Sequence, residues 1–168
     1  MSGEVRPALR PATRADLRRI FRWIPDRDAC RRWAGPRVRY TRNPESLARQ
    51  IGYRPNNSYV LTVGDTLVGF AQLLAPRPRT QHLTRVLVAP DRRGAGFGRT
   101  LCETLLARAR RDGATRLSLY VYRDNPSALG LYEALGWRRR RPPRHPLPAG
   151  LCYMVNDLTN VAPAADPG

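Results

Sequence analysis

His82-Leu-Thr-Arg-Val-Leu-Val-Ala-Pro-Asp-Arg-Arg-Gly-Ala-Gly-Phe-Gly-Arg99 is the stretch around which the chain is organised. A β-branched and apolar run, His82 to Val88, breaks at Ala89-Pro90-Asp91. Gly94, Gly96 and Gly98 follow at alternate positions, framed by Arg92, Arg93 and Arg99. Leu101, Leu105 and Ala109 then recur on one face of a helical pattern. Strand, basic glycine loop and helix N-terminus make a cradle for a phosphate. Glycines let backbone N–H groups approach closely, and the helix dipole favours an anion there. A strand–helix turn without a ligand would need glycine only for its dihedrals. Alternating glycines among arginines favour the anion site.

Upstream of this stretch, Pro7 to Pro11 reads as a first strand at a sheet edge. Thr13 is an N-cap with Asp16 as its capping-box acid, and Leu17, Ile20, Phe21 and Ile24 form a core-facing helical stripe. Asp26 to Trp33 forms a second short helix closed by Ala34-Gly35-Pro36, and Asn43-Pro44-Glu45 restarts helical structure as far as Gly52. Tyr59 to Val63 and Thr66 to Leu74 are strands joined by a tight turn at Gly64-Asp65. Ala75 to Gln81 reads as a Pro/Arg-rich connection. Downstream, a helix from about Gly98 to Asp112 ends at Gly113, and Thr115 to Tyr122 makes a strand. Asn125-Pro126 caps a helix carrying Ala128, Leu131, Tyr132 and Leu135, closed by Gly136. A strand is expected from Trp137 and a last one from Leu151 to Val155. The predicted order, β-α-α-β-β-β-α-β-α-β-β, is a mixed α/β sheet of about seven strands with helices on both faces.

A chain of 168 residues suits one domain with a real core, expected to span about residues 5–160. The Ala/Pro-rich tail, residues 161–168, is expected to be disordered. No run approaches the roughly 18 apolar residues of a membrane span, and no signal-peptide pattern is seen. Cys30, Cys102 and Cys152 have neither metal nor redox spacing, so no metal site and a cytoplasmic location are expected. The net charge is +17, and every one of the 30 basic residues is Arg. That sign suits nucleic acid. The lack of Lys beside abundant Ala, Pro and Gly, and the spread of the arginines, instead suit coding bias with a phosphate-bearing ligand.

Val88-Ala89-Pro90 followed by Arg93-x-x-Gly96-x-Gly98 resembles the acyl-CoA pyrophosphate loop of the GNAT superfamily of N-acyltransferases. Asn125-x-x-Ala128-x-x-Leu131-Tyr132-x-x-x-Gly136-Trp137 resembles that family's second motif, where Phe often stands after the glycine. The resemblance covers roughly Val5 to Leu158. It implies a mostly antiparallel sheet with a splayed central parallel pair, and an N-acetyltransferase that uses acetyl-CoA and needs no metal. It places the pyrophosphate on Arg93, Gly94, Ala95, Gly96, Gly98 and Arg99, and the pantetheine arm beside Val86 and Val88. The Val86 N–H would face the thioester carbonyl, as an oxyanion donor. Asn125 would add an amide contact to pantetheine while capping its helix.

The same resemblance makes Tyr132 the catalytic acid, since an ordinary phenol, with pKa of about 10, stays protonated and can donate to a departing thiolate. Without it, Tyr132 is a core aromatic. His82 stands where the family often has Glu, and a neutral imidazole there can act as general base. An idle strand-end histidine is the alternative. Cys102, inside a helix, suits packing better than an acyl-enzyme. The acceptor site is expected from Pro25 to Tyr53 and from Arg138 to Gly150. Trp23, Trp33, Asp26 and Asp28 would suit a cationic acceptor, whereas Arg138 to Arg141 would suit an anionic one, RNA or plain solvation. Small-molecule amine and protein N-terminus both stand as acceptors, and relatives are often homodimers. Two further functions stay open: a basic nucleic-acid or ribosome-associated protein, and an acyl-CoA-binding module without catalysis.

Overall fold

The computed structural model describes residues 5–143 and 147–159. The tail at 161–168 therefore lies outside the described residues. In chain order the elements are β1 (Pro7–Pro11), α1 (Arg14–Ile20), α2 (Arg27–Ala34), α3 (Pro44–Gln50), β2 (Ser58–Val63), β3 (Thr66–Arg77) and β4 (Thr80–Val88), then α4 (Phe97–Arg111), β5 (Arg116–Tyr122), α5 (Pro126–Ala134), β6 (Arg138–Arg139) and β7 (Leu151–Asp157). Single 3-10 turns occupy Phe21–Trp23 and Pro90–Arg92. Short polar side chains set the helix starts. Thr13 and Asp16 form the reciprocal capping box of α1, Asp26 Oδ1 accepts from Ala29 N, and Asn43 and Asn125 cap helices that begin with proline.

The chain forms two compact units, with β4 passing from one into the other. The first holds the described residues to Leu74 together with Leu83–Leu105. In it β1, β2 and β3 are antiparallel, with Leu9 opposite Leu61 and Val60 opposite Phe70, and Gly64-Asp65 makes the tight turn between Val63 and Thr66. Leu17 and Ile20 of α1, Cys30 of α2 and Leu47 of α3 pack with Val60 and Phe70. Gly69, next along β3, faces the other way, where a Cβ would come within 3.1 Å of Leu101 Cδ2 on α4. Helices thus cover both faces of these strands.

The second unit holds Ala75–His82 and the described residues from Leu106 onward. Its parallel pair matches Thr80 with Arg116, Gln81 with Leu117 and His82 with Ser118. β5 runs antiparallel to β7, from Arg116 opposite Asp157 to Tyr122 opposite Leu151, and β6 pairs with β7. Leu117, Leu119, Met154 and Trp137 are buried here, and Asn156 Nδ2 donates to the last turn of α5 at Leu135 O, 2.9 Å away. The strand order is β1-β2-β3-β4-β5-β7-β6, a mixed seven-stranded arrangement. Among the described residues no helix is long and apolar enough to cross a membrane.

Three sequence expectations are corrected. Three α-helices separate β1 from β2, one for each segment read at Thr13, Asp26 and Asn43, where the predicted order counted two. Ala75–Gln81 is not a connection: β3 continues to Arg77, Arg79 turns the chain at φ 58°, and β4 starts at Thr80. Ala75 to Arg77 are exposed, and proline is tolerated on strand positions whose missing N–H faces solvent. The strand expected at Trp137 begins at Arg138, because the Trp137 N–H donates back to Tyr132 O of α5 at 3.0 Å.

Asp16 shows how local order is secured. Its carboxylate accepts from Arg10 Nη1 at 2.6 Å and Nη2 at 3.0 Å, and from Thr13 N at 2.8 Å. Burial raises its pKa, but the Arg10 and Thr13 hydrogen bonds outweigh that and hold it at about 2, below the ordinary 3.8. A depressed carboxyl pKa stabilises the fold above pH 4, and that contribution disappears as pH falls from 4 to 2. Asp16→Asn should therefore cost about 1–2 kcal/mol at pH 7, half of Arg10 being solvated, and nothing below pH 2. Denaturant melts at the two pH values check this; an equal loss at both would contradict it.

Candidate functional site

In the first unit β4 leads into the glycine loop. Ala89 N donates to Val68 O at 3.0 Å, and Arg92 N to Ala89 O at 2.9 Å closes the turn after the strand. Gly94 and Gly96 take φ values of 77° and 84°, which side-chain-bearing residues rarely adopt. A Cβ at either would meet nothing within 4 Å, so close packing is not why glycine stands there. The loop opens onto α4, a fifteen-residue helix. The leading N–H groups of such a helix lack intrahelical acceptors and carry the positive end of the dipole. Arg93 is exposed, and Arg99 is exposed with its Nε on Glu103 at 2.9 Å. Ala95 and Gly98 lie in the same loop and first turn, and Val86 and Val88 are half-buried on the preceding strand. Open space, positive dipole and flanking guanidinium groups fit a polyphosphate such as the pyrophosphate of CoA.

Arg85, inside β4, is a feature the sequence did not announce. It is left-handed, with φ 56°. Its carbonyl accepts from Trp33 Nε1 at 2.9 Å, and the Trp33 ring lies against Phe21 and Phe70. Its Nη1 donates to Gln72 Oε1 at 2.8 Å, and the wholly buried Gln72 donates to Ser58 Oγ at 2.9 Å. Burial pulls the guanidinium pKa below its usual value. The only available sign in the sequence was Gln72, one polar residue within the apolar run from Leu67 to Leu74.

In the second unit Tyr132 is buried on α5, its ring 5.5 Å from that of Trp137. The α5 turn is closed around it, with Trp137 N donating to Tyr132 O at 3.0 Å. His82 Nδ1 lies 2.8 Å from Ser118 Oγ, and its ring stands 5.2 Å from Tyr120. Asn125 Oδ1 accepts from Ala128 N at 3.2 Å, so its capping role is realised.

The other sequence candidates sort themselves by partner. Asp26 is committed to its cap and Asp28 is exposed. Arg139 pairs with Glu133 at 3.2 Å on an exposed strand. Residues 144–146 of the adjoining loop lie outside the described residues. Cys102 is wholly buried, and burial and the charge of Glu103 push its thiol up to about 12. It is a packing residue.

Residues 21–137 match the model of the acetyltransferase (GNAT) family. The chain is 32% identical over 118 residues to the L-2,4-diaminobutyric acid acetyltransferase of Nocardia farcinica, an alignment covering 66% of this chain and 61% of that protein. It is 30% identical over 128 residues to the mycothiol acetyltransferase of Corynebacterium efficiens, covering 76% and 43%. The chain thus spans only about half the length of these curated relatives. Among solved structures, spermidine N-acetyltransferase from Vibrio cholerae in complex with CoA and spermine superposes with a TM-score of 0.72 at 21% identity, over 91% of this chain and 96% of that one. The ribosomal-protein-S18-alanine N-acetyltransferase from Escherichia coli gives 0.69 at 20% identity, over 94% and 97%. At such identities the likeness is one of fold.

All three cysteines are free and buried. Iodoacetamide at pH 8 should therefore leave Cys30, Cys102 and Cys152 unmodified in the native protein and label them in denaturant, as read by mass spectrometry. Rapid native labelling of Cys102 would contradict its packing role.

Proposed function

The chain belongs to the GNAT family of acetyltransferases, and from that premise we propose that it moves an acetyl group from acetyl-CoA to an amine by direct attack. The observation that carries the reading is the left-handed Gly94–Gly96 loop, open above its glycines, at the head of α4. When bound, acetyl-CoA supplies a thioester whose carbonyl carbon an amine can attack.

Arg93, Gly94, Ala95, Gly96, Gly98 and Arg99 hold the pyrophosphate through backbone N–H groups and two guanidinium charges. Val86 and Val88 flank the pantetheine arm, and the Val86 N–H stabilises the charge that develops on the carbonyl oxygen. The side chain of Asn125 steadies the pantetheine amides. Tyr132 donates its phenolic proton to the thiolate as the carbon–sulfur bond breaks. His82 takes the proton from the amine. That role requires the tautomer in which Nδ1–H donates to Ser118 Oγ and Nε2 carries the accepting lone pair. Three free cysteines suit a reducing, cytoplasmic setting.

Tyr132→Phe keeps the ring against Trp137 and removes the phenolic proton donor. Turnover should fall about 10²-fold or more, with acetyl-CoA affinity within about twofold of the wild type. Unchanged turnover would remove Tyr132 from the chemistry. His82→Ala should abolish the acidic limb of the pH–rate profile. Persistence of that limb would assign the base elsewhere.

A further inference from the structure

We propose that Arg85 binds a carboxylate on the acceptor, so that the acceptor is an amino acid and not a polyamine. The inference rests on the acetyltransferase reading and is argued from residues of the first unit. A guanidinium taken out of water needs an anion or a full set of acceptors, since desolvating a charge without either is costly. Among the described residues Arg85 has no carboxylate partner, and its one side-chain hydrogen bond runs from Nη1 to Gln72. Its Nε is buried with no acceptor among the described residues. The edge formed by Nε and Nη2 is therefore the unused one, and a guanidinium edge with two parallel N–H groups matches a carboxylate.

The surroundings hold this group in place instead of neutralising it. Gln72 is anchored in turn by Ser58 Oγ, whose hydroxyl lies 2.7 Å from Asn57 Oδ1. Trp33 Nε1 holds the Arg85 carbonyl in a left-handed conformation that a non-glycine residue adopts only at a cost. A strained backbone, an ordered polar chain and an unmatched charge make a receptor for an anion. The pyrophosphate has its own cradle at Gly94 to Gly98. Meanwhile Asp26, which the sequence offered to a cationic acceptor, caps α2 through Oδ1 and is exposed. A half-buried positive charge without a counter-ion among the described residues repels a polyamine and attracts the carboxylate of an amino acid.

Pairs of amines that differ only by the carboxylate test this: 2,4-diaminobutyrate with 1,3-diaminopropane, ornithine with putrescine, and alanine with ethylamine, each assayed by CoA release. The carboxylate-bearing member of at least one pair should be preferred about 30-fold or more in kcat/KM. Arg85→Gln should collapse that ratio toward one, chiefly by raising the acceptor KM, and Arg85→Lys should restore part of it. Calorimetric acetyl-CoA binding reports whether each variant is folded and keeps the two readings apart. Absence of acetyl-CoA binding by the wild type would overturn the acetyltransferase reading itself. Binding with no pair showing the preference, or with the preference intact in Arg85→Gln, would overturn the carboxylate assignment alone.

Discussion

Within the first unit, the constraint on which the candidate site depends is a left-handed residue inside a strand. Arg85 interrupts β4 at φ 56°, and such a conformation survives only where its surroundings over-determine it. They do so from two directions. The indole N–H of Trp33 holds the carbonyl, and Gln72 holds the guanidinium. Trp33 is itself fixed by Phe21 and Phe70, so the core that α1 and α2 build over β3 is also what sets the path of β4. A left-handed residue in a strand breaks the alternation and re-aims the N–H groups that follow. Here those belong to Val86 and its successors, the positions assigned to the thioester and the pantetheine arm.

The glycine loop is the second fixed point of the same unit, and it is tied to the first through the sheet. Gly69 of β3 lets α4 approach closely at Leu101, and Val68, its neighbour, accepts from Ala89 at the end of β4. The position of the α4 N-terminus therefore follows from packing on β3, while Gly94 and Gly96 supply the backbone geometry that turns N–H groups outward. On the proposed reading the unit presents two sites for anions of different kinds. One is a dipole with exposed arginines, suited to a polyphosphate. The other is a half-buried guanidinium whose Nε has no acceptor among the described residues, suited to a small carboxylate.

Much of this was legible in the sequence because it is locally encoded. Thr13 with Asp16, Asp26, Asn43-Pro44 and Asn125-Pro126 mark helix starts through hydrogen bonds spanning three residues or fewer, and each cap forms. Leu101, Leu105 and Ala109, read as one helix face, are all wholly buried. Arg85 was not legible, because its conformation depends on Trp33, 52 residues away, and on Gln72 across a strand pair. The β3–β4 hairpin was missed for the opposite reason. Pro76 and Pro78 are strong local stop signals, yet the exposed end of β3 tolerates Pro76 and continues to Arg77. A strand was expected from Trp137, just after the helix-ending Gly136, whereas Trp137 closes the α5 turn and fills the core of the second unit.

Cofactor binding at the glycine loop is the central claim, and calorimetric titration of the purified chain with acetyl-CoA tests it most directly. One-site binding is expected, weakened at least about tenfold in Gly96→Ala, where a side chain would have to adopt the left-handed backbone at φ 84°. Absence of binding by the wild-type chain, or equal affinity in the folded Gly96→Ala variant, would contradict it.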